Sequence, residues 1–379
     1  MDNFTFHNPT EIIFGKGQIA ALGERIPVGA TVLLAYGGGS IKRNGVYDQV
    51  RAALVKHKVV EFAGIEANPQ FDTCVKAIQL VKQEKVGYIL AVGGGSVLDA
   101  AKLIAAGGVF AGDPWEIVRT TGAAITASLP LGTVLTLPAT GSEANGNSVI
   151  SRQSTGEKLH FTSAHVFPKF SILDPATTIS LPVKQVRNGI VDAFVHVCEQ
   201  YATRPAAAPL QDRLAESVLQ TLVEVGPGVL AKPEDYDLRA SLMWSATLAL
   251  NTLIGCGVPQ DWATHMIGHE VTAFYGLDHA ETLAIVMPGV WRHELATKNA
   301  KLTQYGKRVW NVDSAEAAIA KTEAFFASIN MPTRFSAYGI DANEAATKIA
   351  ARFQSRGVAF GENGDIDGAA AAAILRSRA

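Results

Sequence analysis

The hydrophobic pattern changes character once along the chain. Up to about residue 180, short apolar runs stop at glycine-rich turns and lead into segments of helical spacing. TVLLAY runs into GGGS at Gly37–Ser40, GYILAV into GGGS at Gly93–Ser96, and TVLTLPAT into GSE at Gly141–Glu143. An apolar run of strand length that stops at glycine reads as a strand buried on both faces. Its repetition with intervening helices reads as a parallel sheet built from βαβ units. VRAALVKH and DTCVKAIQLVKQ are then the crossover helices.

After LDPATTISLP the runs lengthen and take a period of 3.6 residues. VRNGIVDAFVHVCEQYAT, LQDRLAESVLQTLVEV, LRASLMWSATLALNTL and EAAIAKTEAFFASI carry few strand signals. The expected architecture is an α/β dinucleotide-binding domain with a parallel sheet over residues 1–179, followed by an all-helical domain over 180–379. No low-complexity linker separates them, so the two are expected to abut and share a cleft, a favoured place for a ligand. ASLMWSATLALNTLIGCGVPQ is the longest uncharged run and has the length of a membrane span. Ser241, Ser245, Thr247, Asn251 and Thr252 interrupt it and Pro259 ends it, so it predicts a buried helix.

Composition narrows the partners. The chain has 379 residues, 48% hydrophobic and 18% charged, with a formal net charge of −2. That balance describes a globular protein and gives no reason to expect nucleic acid or a membrane as partner. Cys74, Cys198 and Cys256 form no CxxC pair, and so few cysteines fit a reducing compartment, here the cytoplasm. The N-terminal MDNFTFHNPTEIIFG lacks the basic and apolar regions of a signal peptide.

Five candidate ligands in two segments carry the most chemistry. Asp192 and His196, in NGIVDAFVHVCEQ, are four apart and share a helical face. DWATHMIGHEVTAFYGLDHAETLA supplies His265, His269 and His279. One carboxylate with neutral imidazoles suits a divalent first-row metal; spacing alone leaves open whether His265 or His269 completes the set. The two GGGS turns offer backbone N–H groups and helix starts to phosphates. After Gly37, Gly38, Gly39 and Ser40 come Lys42 and Arg43. No carboxylate is nearby to repel a 2′-phosphate, so the turn points to NADPH rather than NADH. Gly93, Gly94, Gly95 and Ser96 are placed to cradle a pyrophosphate, with Asp99 accepting from an amide of the cofactor. Thr136, Thr140, Ser142 and Asn147 are polar where an apolar strand has just ended, and are candidate donors to nucleotide or substrate.

These motifs resemble the iron-dependent (group III) alcohol dehydrogenases along essentially the whole chain, from PTEIIFGKGQIAAL through GVPQDWATHMIGHEVTA to GENGDID. The likeness is greatest to the bacterial branch of NADPH-dependent aldehyde reductases and butanol dehydrogenases. LDPATTISLPVKQVRNGIVDAFVHVCEQ matches the family pattern LDP…LP…GxxDAxxH…E. The resemblance implies a dehydroquinate synthase-like fold and metal ligands Asp192, His196, His265 and His279. It implies that His269 sits near substrate and nicotinamide as the catalytic histidine. Gly93–Ser96 and Asp99 would then contact pyrophosphate and nicotinamide, with Thr136, Thr140 and Ser142 lining the cofactor site and Lys158 near the nicotinamide ribose. Asn363 and Gly364 stand where relatives often carry a histidine.

The implied chemistry is reversible reduction of short- to medium-chain aldehydes to primary alcohols, with NADPH/NADP and one divalent metal, Fe²⁺ or Zn²⁺, in a homodimer. An alternative within the fold is an NAD- and zinc-dependent polyol (glycerol-type) dehydrogenase, which an acid after the first strand would favour. A nucleotide- or metal-responsive binding protein without catalysis is the alternative from another class, and the intact ligand set argues against it.

Overall fold

Six parallel strands form one sheet in the order β1-β8-β5-β4-β2-β3: β1 Glu11–Phe14, β2 Thr31–Tyr36, β3 Lys58–Phe62, β4 Tyr88–Gly94, β5 Leu131–Leu137 and β8 Phe170–Leu173. Two further strands, β6 Asn147–Arg152 and β7 Glu157–Thr162, pair as an antiparallel hairpin. The structure is a computed structural model and describes residues 1–379. The helices associated with the sheet are α1 Leu22–Arg25, α2 Ser40–Arg43, α3 Val46–Ala53, α4 Phe71–Gln83, α5 Gly95–Val109 and α6 Pro114–Arg119. The expected strands TVLLAY and GYILAV are β2 and β4, and DTCVKAIQLVKQ is α4. VRAALVKH is helical only in its first half, because α3 begins earlier and ends at Ala53.

The sheet is buried on both faces. Leu33, Ile89, Leu131 and Leu135 pack with α4 and α5 on one side. Val32, Leu34, Leu90, Val92 and Ile172 pack with α3 and the β1–β2 connection on the other. Burial of each such side chain stabilises the fold by about 1.5–3 kcal/mol, which is why these strands read as unbroken apolar runs rather than alternating ones.

From residue 183 the chain is helical: α7 Val183–Tyr201, α8 Pro209–Ala231, α9 Tyr236–Ala249, α10 Ala263–Tyr275, α11 His279–His293, α12 Leu295–Tyr305, α13 Ala315–Ser328, α14 Ala342–Arg356 and α15 Gly368–Arg376. The fold class is therefore the expected one, a parallel α/β half followed by helices. The chain divides into two compact units that are not contiguous in sequence. One comprises residues 7–182 and 233–247, the other 1–6, 183–232 and 248–379. Residues 233–247 belong with the sheet because Met243 enters the core of Leu103 and Ile150, and because the Thr247 hydroxyl meets buried Glu143 at 2.5 Å. The long uncharged run is a helix only to Ala249, after which the chain has no regular helix until Ala263; no helix is long and apolar enough to cross a membrane.

The second unit has its own core. Ile267 and Val271 of α10, Ile285, Val286 and Val290 of α11, and Ile349 and Phe353 of α14 are buried together. The result is a rigid frame for the segments that begin α10 and α11.

Candidate functional site

One face of α7 organises the helical unit's chemistry. Asn188, Asp192, His196 and Glu199 follow one another at spacings of four, four and three, so they line up along the helix. The side chains of Asp192 and His196 are buried, and His196 Nε2 lies 3.7 Å from Asp192 Oδ1. Two other helices bring histidines to the same oxygen. His265, on the first turn of α10, places Nε2 at 4.0 Å from it, and His279, the first residue of α11, places Nε2 at 3.7 Å. The His196 and His265 rings stack with centroids 4.7 Å apart and an interplanar angle of 20°.

The flanking residues of α7 orient the incoming histidines. Glu199 Oε1 accepts from the Thr264 amide at 2.7 Å, and Oε2 makes a short contact with His265 Nδ1. With the proton on Nδ1, the lone pair of His265 Nε2 faces Asp192. A carboxylate behind a ligating histidine fixes its tautomer and raises its basicity. Burial and neighbouring Asp261 raise the Glu199 carboxyl, while the Thr264 amide donating to it and the nearby His196 favour its charged form. At the other end of α7, Asn188 Nδ2 donates to Asp278 Oδ2 at 2.8 Å, and Lys184 Nζ lies 2.8 Å from the same oxygen. Asp278 closes a capping box with Glu281 at the start of α11, which sets the position of His279.

Three imidazole nitrogens at 3.7–4.0 Å are too far from Asp192 Oδ1 for hydrogen bonds, and this buried oxygen accepts none. A buried carboxylate oxygen without a donor is costly unless a cation satisfies it. Donors bound at about 2.1 Å to one tetrahedral ion lie about 3.4 Å from one another. The donor atoms of Asp192, His265 and His279 all lie within 4.8 Å of one another, so the residues present fit a divalent cation. His269, one turn beyond His265, is buried, its ring 5.3 Å from that of His279 and 6.4 Å from that of His265.

The sheet unit holds the glycine turns. β2 ends at Tyr36, and Gly39, at φ +85°, starts α2. β4 runs directly into α5 through Gly93, Gly94 and Gly95. A Cβ on Gly93 would come within 2.6 Å of Val97, and one on Gly95 within 2.4 Å of Thr140. Glycine is required here for helix–strand packing as much as for any ligand. Ser96 sits in the first turn of α5, and buried Thr136 lies on β5.

Asp99 and Ser142 are joined. Ser142 Oγ donates to Asp99 Oδ1 at 2.7 Å, and the Val149 amide donates to Oδ2 at 2.9 Å. Both carboxylate oxygens thus fasten α5 to the segment around β6. Lys102, one turn on, donates to Ser142 Oγ, Asn145 Oδ1 and the Asn147 carbonyl at 2.8, 3.1 and 2.6 Å. Burial lowers its ammonium to about 8. Thr140 Oγ1 accepts from the Ser142 amide at 3.2 Å, and Lys158 donates to Asn68 Oδ1 at 2.9 Å.

The absence of an acid near the first turn holds in sequence but not in space. Glu61, on β3, stands opposite Leu34 of β2. It accepts from Tyr36 at 2.9 Å and Tyr47 at 2.5 Å, and lies 3.6 Å from Lys42 Nζ. Partial burial would raise its carboxyl, but the two phenol donors and Lys42 hold it below the usual range. Lys42 itself lies over the Tyr47 ring at 4.6 Å.

Sequence reading gave no supporting role to Asn188, Asp278 or Lys102, and placed Glu199 only as the closing glutamate of the family pattern. Glu199 had a signal, its place seven residues beyond Asp192 on the same helical face.

Residues 9–175 match the family model for iron-containing alcohol dehydrogenases, and residues 187–372 match that for the C-terminal part of the Fe-containing alcohol dehydrogenase family. The NADPH-dependent aldehyde reductase YqhD of Escherichia coli is 54% identical over 97% of both chains. The NADP-dependent alcohol dehydrogenase 3 of Entamoeba histolytica is 44% identical over 97% of this chain and 96% of its own. The crystal structure of E. coli YqhD superposes with a TM-score of 0.98 at 52% identity, covering 100% of this chain and 99% of that one.

Proposed function

This chain belongs to the iron-containing alcohol dehydrogenase family, and we propose that it is a metal-dependent, NADPH-linked oxidoreductase that reduces short- to medium-chain aldehydes to primary alcohols, and the reverse. The observation that carries this reading is the buried Asp192 oxygen, without a hydrogen-bond donor and ringed by three histidine nitrogens. When bound, the two cofactors divide the chemistry: NADPH supplies hydride to the carbonyl carbon, and a divalent ion polarises the carbonyl oxygen.

The chain's own residues hold, orient and protonate. Asp192, His196, His265 and His279 hold the ion. Their mixed oxygen and nitrogen set suits Fe²⁺, as in the family, with Zn²⁺ the competing occupant. Glu199 and Asp278 fix the directions of His265 and His279. His269, buried beside His279, is the residue we assign to orient the substrate oxygen or to relay the proton it needs, a task suited to imidazole near neutral pH.

Nucleotide binding is assigned to residues 1–179. Gly37, Gly38, Gly39 and Ser40, with Lys42, face the adenosine end. Gly93, Gly94, Gly95 and Ser96 face the pyrophosphate, while Asp99, Thr136, Thr140, Ser142 and Lys158 serve the nicotinamide half. Metal binding is assigned to residues 180–379. Glu61 is the one feature that favours an NAD-linked enzyme, and Tyr36, Tyr47 and Lys42 already occupy its carboxylate. A homodimer in the cytoplasm completes the reading; three buried, unpaired cysteines fit a reducing compartment.

The test is NADPH oxidation with butanal by Fe²⁺-loaded protein, compared with NADH and with chelator-treated protein. Metal-dependent turnover faster with NADPH is expected. Equal rates in chelated protein would defeat the metal mechanism, and no aldehyde turnover would defeat the reading altogether.

A further inference from the structure

Trp262 is a bulky residue in a conformation that suits glycine. Its backbone lies at φ +65° and ψ 1°, in the left-handed region, immediately before α10. Tryptophan is rarely found there, and such a conformation persists only where the surroundings fix it. They do so here through Asp261, whose amide donates to the Glu199 carbonyl at 2.9 Å and whose Oδ1 accepts from the Ala263 amide at 2.9 Å. Its Oδ2 lies 2.7 Å from Nζ of fully buried Lys298, which also reaches Glu362 Oε1 and the Ala202 carbonyl at 2.8 Å each. Glu362 belongs to the GENGDID segment, so that motif helps to hold the turn.

The indole is held against the metal set. Its ring meets that of His265 edge-on at 5.3 Å and lies 6.3 Å from that of His196. Its Nε1 donates to Gln260 Oε1 at 2.8 Å, which fixes the ring's orientation. Indole is half-buried and covers the side of the stacked His196–His265 pair, whereas His269 stands near His279. Among the four proposed ligands His279 is the most open, its side chain 23% exposed against 5–6% for the others.

We propose that Trp262 is a specificity-determining wall: its indole closes the His196–His265 side of the metal set and so bounds the room left for the carbon chain of a substrate that enters from the more open His279 side. Narrow, unbranched aldehydes fit beside such a wall, and aldehydes branched next to the carbonyl do not. This inference rests on the aldehyde-reductase reading of the same site.

The experiment compares the unmutated enzyme with Trp262→Phe and Trp262→Ala, all loaded with metal and with metal content measured. The readout is the ratio of kcat/KM for 2-methylpropanal to that for butanal. Removing a wall of this size is expected to raise the ratio about tenfold or more in Trp262→Ala, and less in Trp262→Phe. A second readout needs no turnover: Co²⁺ added to metal-free protein is expected to quench a component of tryptophan fluorescence that Trp262→Phe lacks. An unchanged ratio in metal-replete variants overturns the proposal. So does loss of metal from both variants, which would make the ring a prop for the ligands, or Co²⁺ quenching identical in Trp262→Phe. An unmutated enzyme that turns over no aldehyde is a separate result, and overturns the underlying reading together with the inference.

Discussion

Glu199 Oε2 meets His265 Nδ1 across 66 residues of sequence, and the same carboxylate accepts from the amide of Thr264. One side chain of α7 thus fixes both the ring and the backbone of a histidine on α10. Removing such a partner typically lowers metal affinity 10- to 100-fold. Glu199→Ala is expected to fall near the upper end of that range, and Glu199→Gln near the lower, because an amide oxygen can still accept from Nδ1. Titration of metal-free protein with Fe²⁺ or Co²⁺ measures both. Equal affinity in all three proteins would detach Glu199 from the centre.

Asp192 supplies the only protein carboxylate in the set of donors closest to one another. Asp192→Asn keeps the volume and removes the charge. We expect a folded protein, by circular dichroism, that retains little metal and little activity. Full metal occupancy in this variant would strike Asp192 from the ligand set.

The uneven legibility of the sequence has a physical basis. β2 and β4 were readable because both their faces are buried and glycine ends them. β1 and β3, EIIF and KVVEF, are short and carry exposed or charged positions, and the hairpin NSVISR–EKLHFT is largely polar. Helical spacing was enough to pair Asp192 with His196. It could not reveal that Glu199 serves His265, because that contact depends on how α10 enters, nor that Glu61 faces Lys42, because β3 lies beside β2 only in the sheet.

The first glycine turn offers a direct test of cofactor choice. A Cβ on Gly38 meets nothing within 4 Å, whereas Gly39 has φ +85° and resists any side chain. Gly38→Asp therefore adds a negative charge without backbone strain. Repulsion of the 2′-phosphate is expected to lower kcat/KM for NADPH about tenfold or more, with NADH little affected. Equal losses with both cofactors would mean that the turn does not face the 2′ position.

Glu143 links pH to stability. Its carboxyl is fully buried, and burial raises its pKa in the fold. Thr247 has one hydroxyl proton and lies 3.1 Å from the Met243 carbonyl and 2.5 Å from Glu143 Oε1. A neutral Glu143 can donate to Thr247, which then donates onward to the Met243 carbonyl, so that one hydroxyl proton is not shared between two acceptors. A raised acid pKa in the fold contributes stability that is fully present below the unfolded value of 4.5 and is lost as pH rises through the folded value. Glu143→Gln removes that loss. The variant's melting temperature, relative to the unmutated protein, is expected to improve as pH rises above 5 and to level off once pH has passed the folded value. A constant difference over the same rise would mean that Glu143 is ionised in the fold.

His269 separates metal holding from turnover. It shares a helical face with His265, one turn away, yet its ring lies 6.4 Å from that of His265 and 5.3 Å from that of His279, while His196, His265 and His279 already surround one carboxylate oxygen of Asp192. A fifth protein ligand is not needed to complete the set. His269→Ala is therefore expected to keep its metal and lose rate, because the product oxygen loses a nearby donor or the substrate loses an orienting contact. General acid–base assistance is worth roughly 10²- to 10⁴-fold, and water or a ribose hydroxyl can replace part of it, so a drop in kcat toward the lower end is expected. Metal content and kcat must come from the same preparation. A proton-transfer role also predicts that the pH profile of kcat flattens near neutrality in the variant, which a loss of packing would not cause. If His269→Ala is metal-free while His265→Ala retains its ion, the two histidines have exchanged roles, and the Glu199 contact then orients a bystander rather than a ligand.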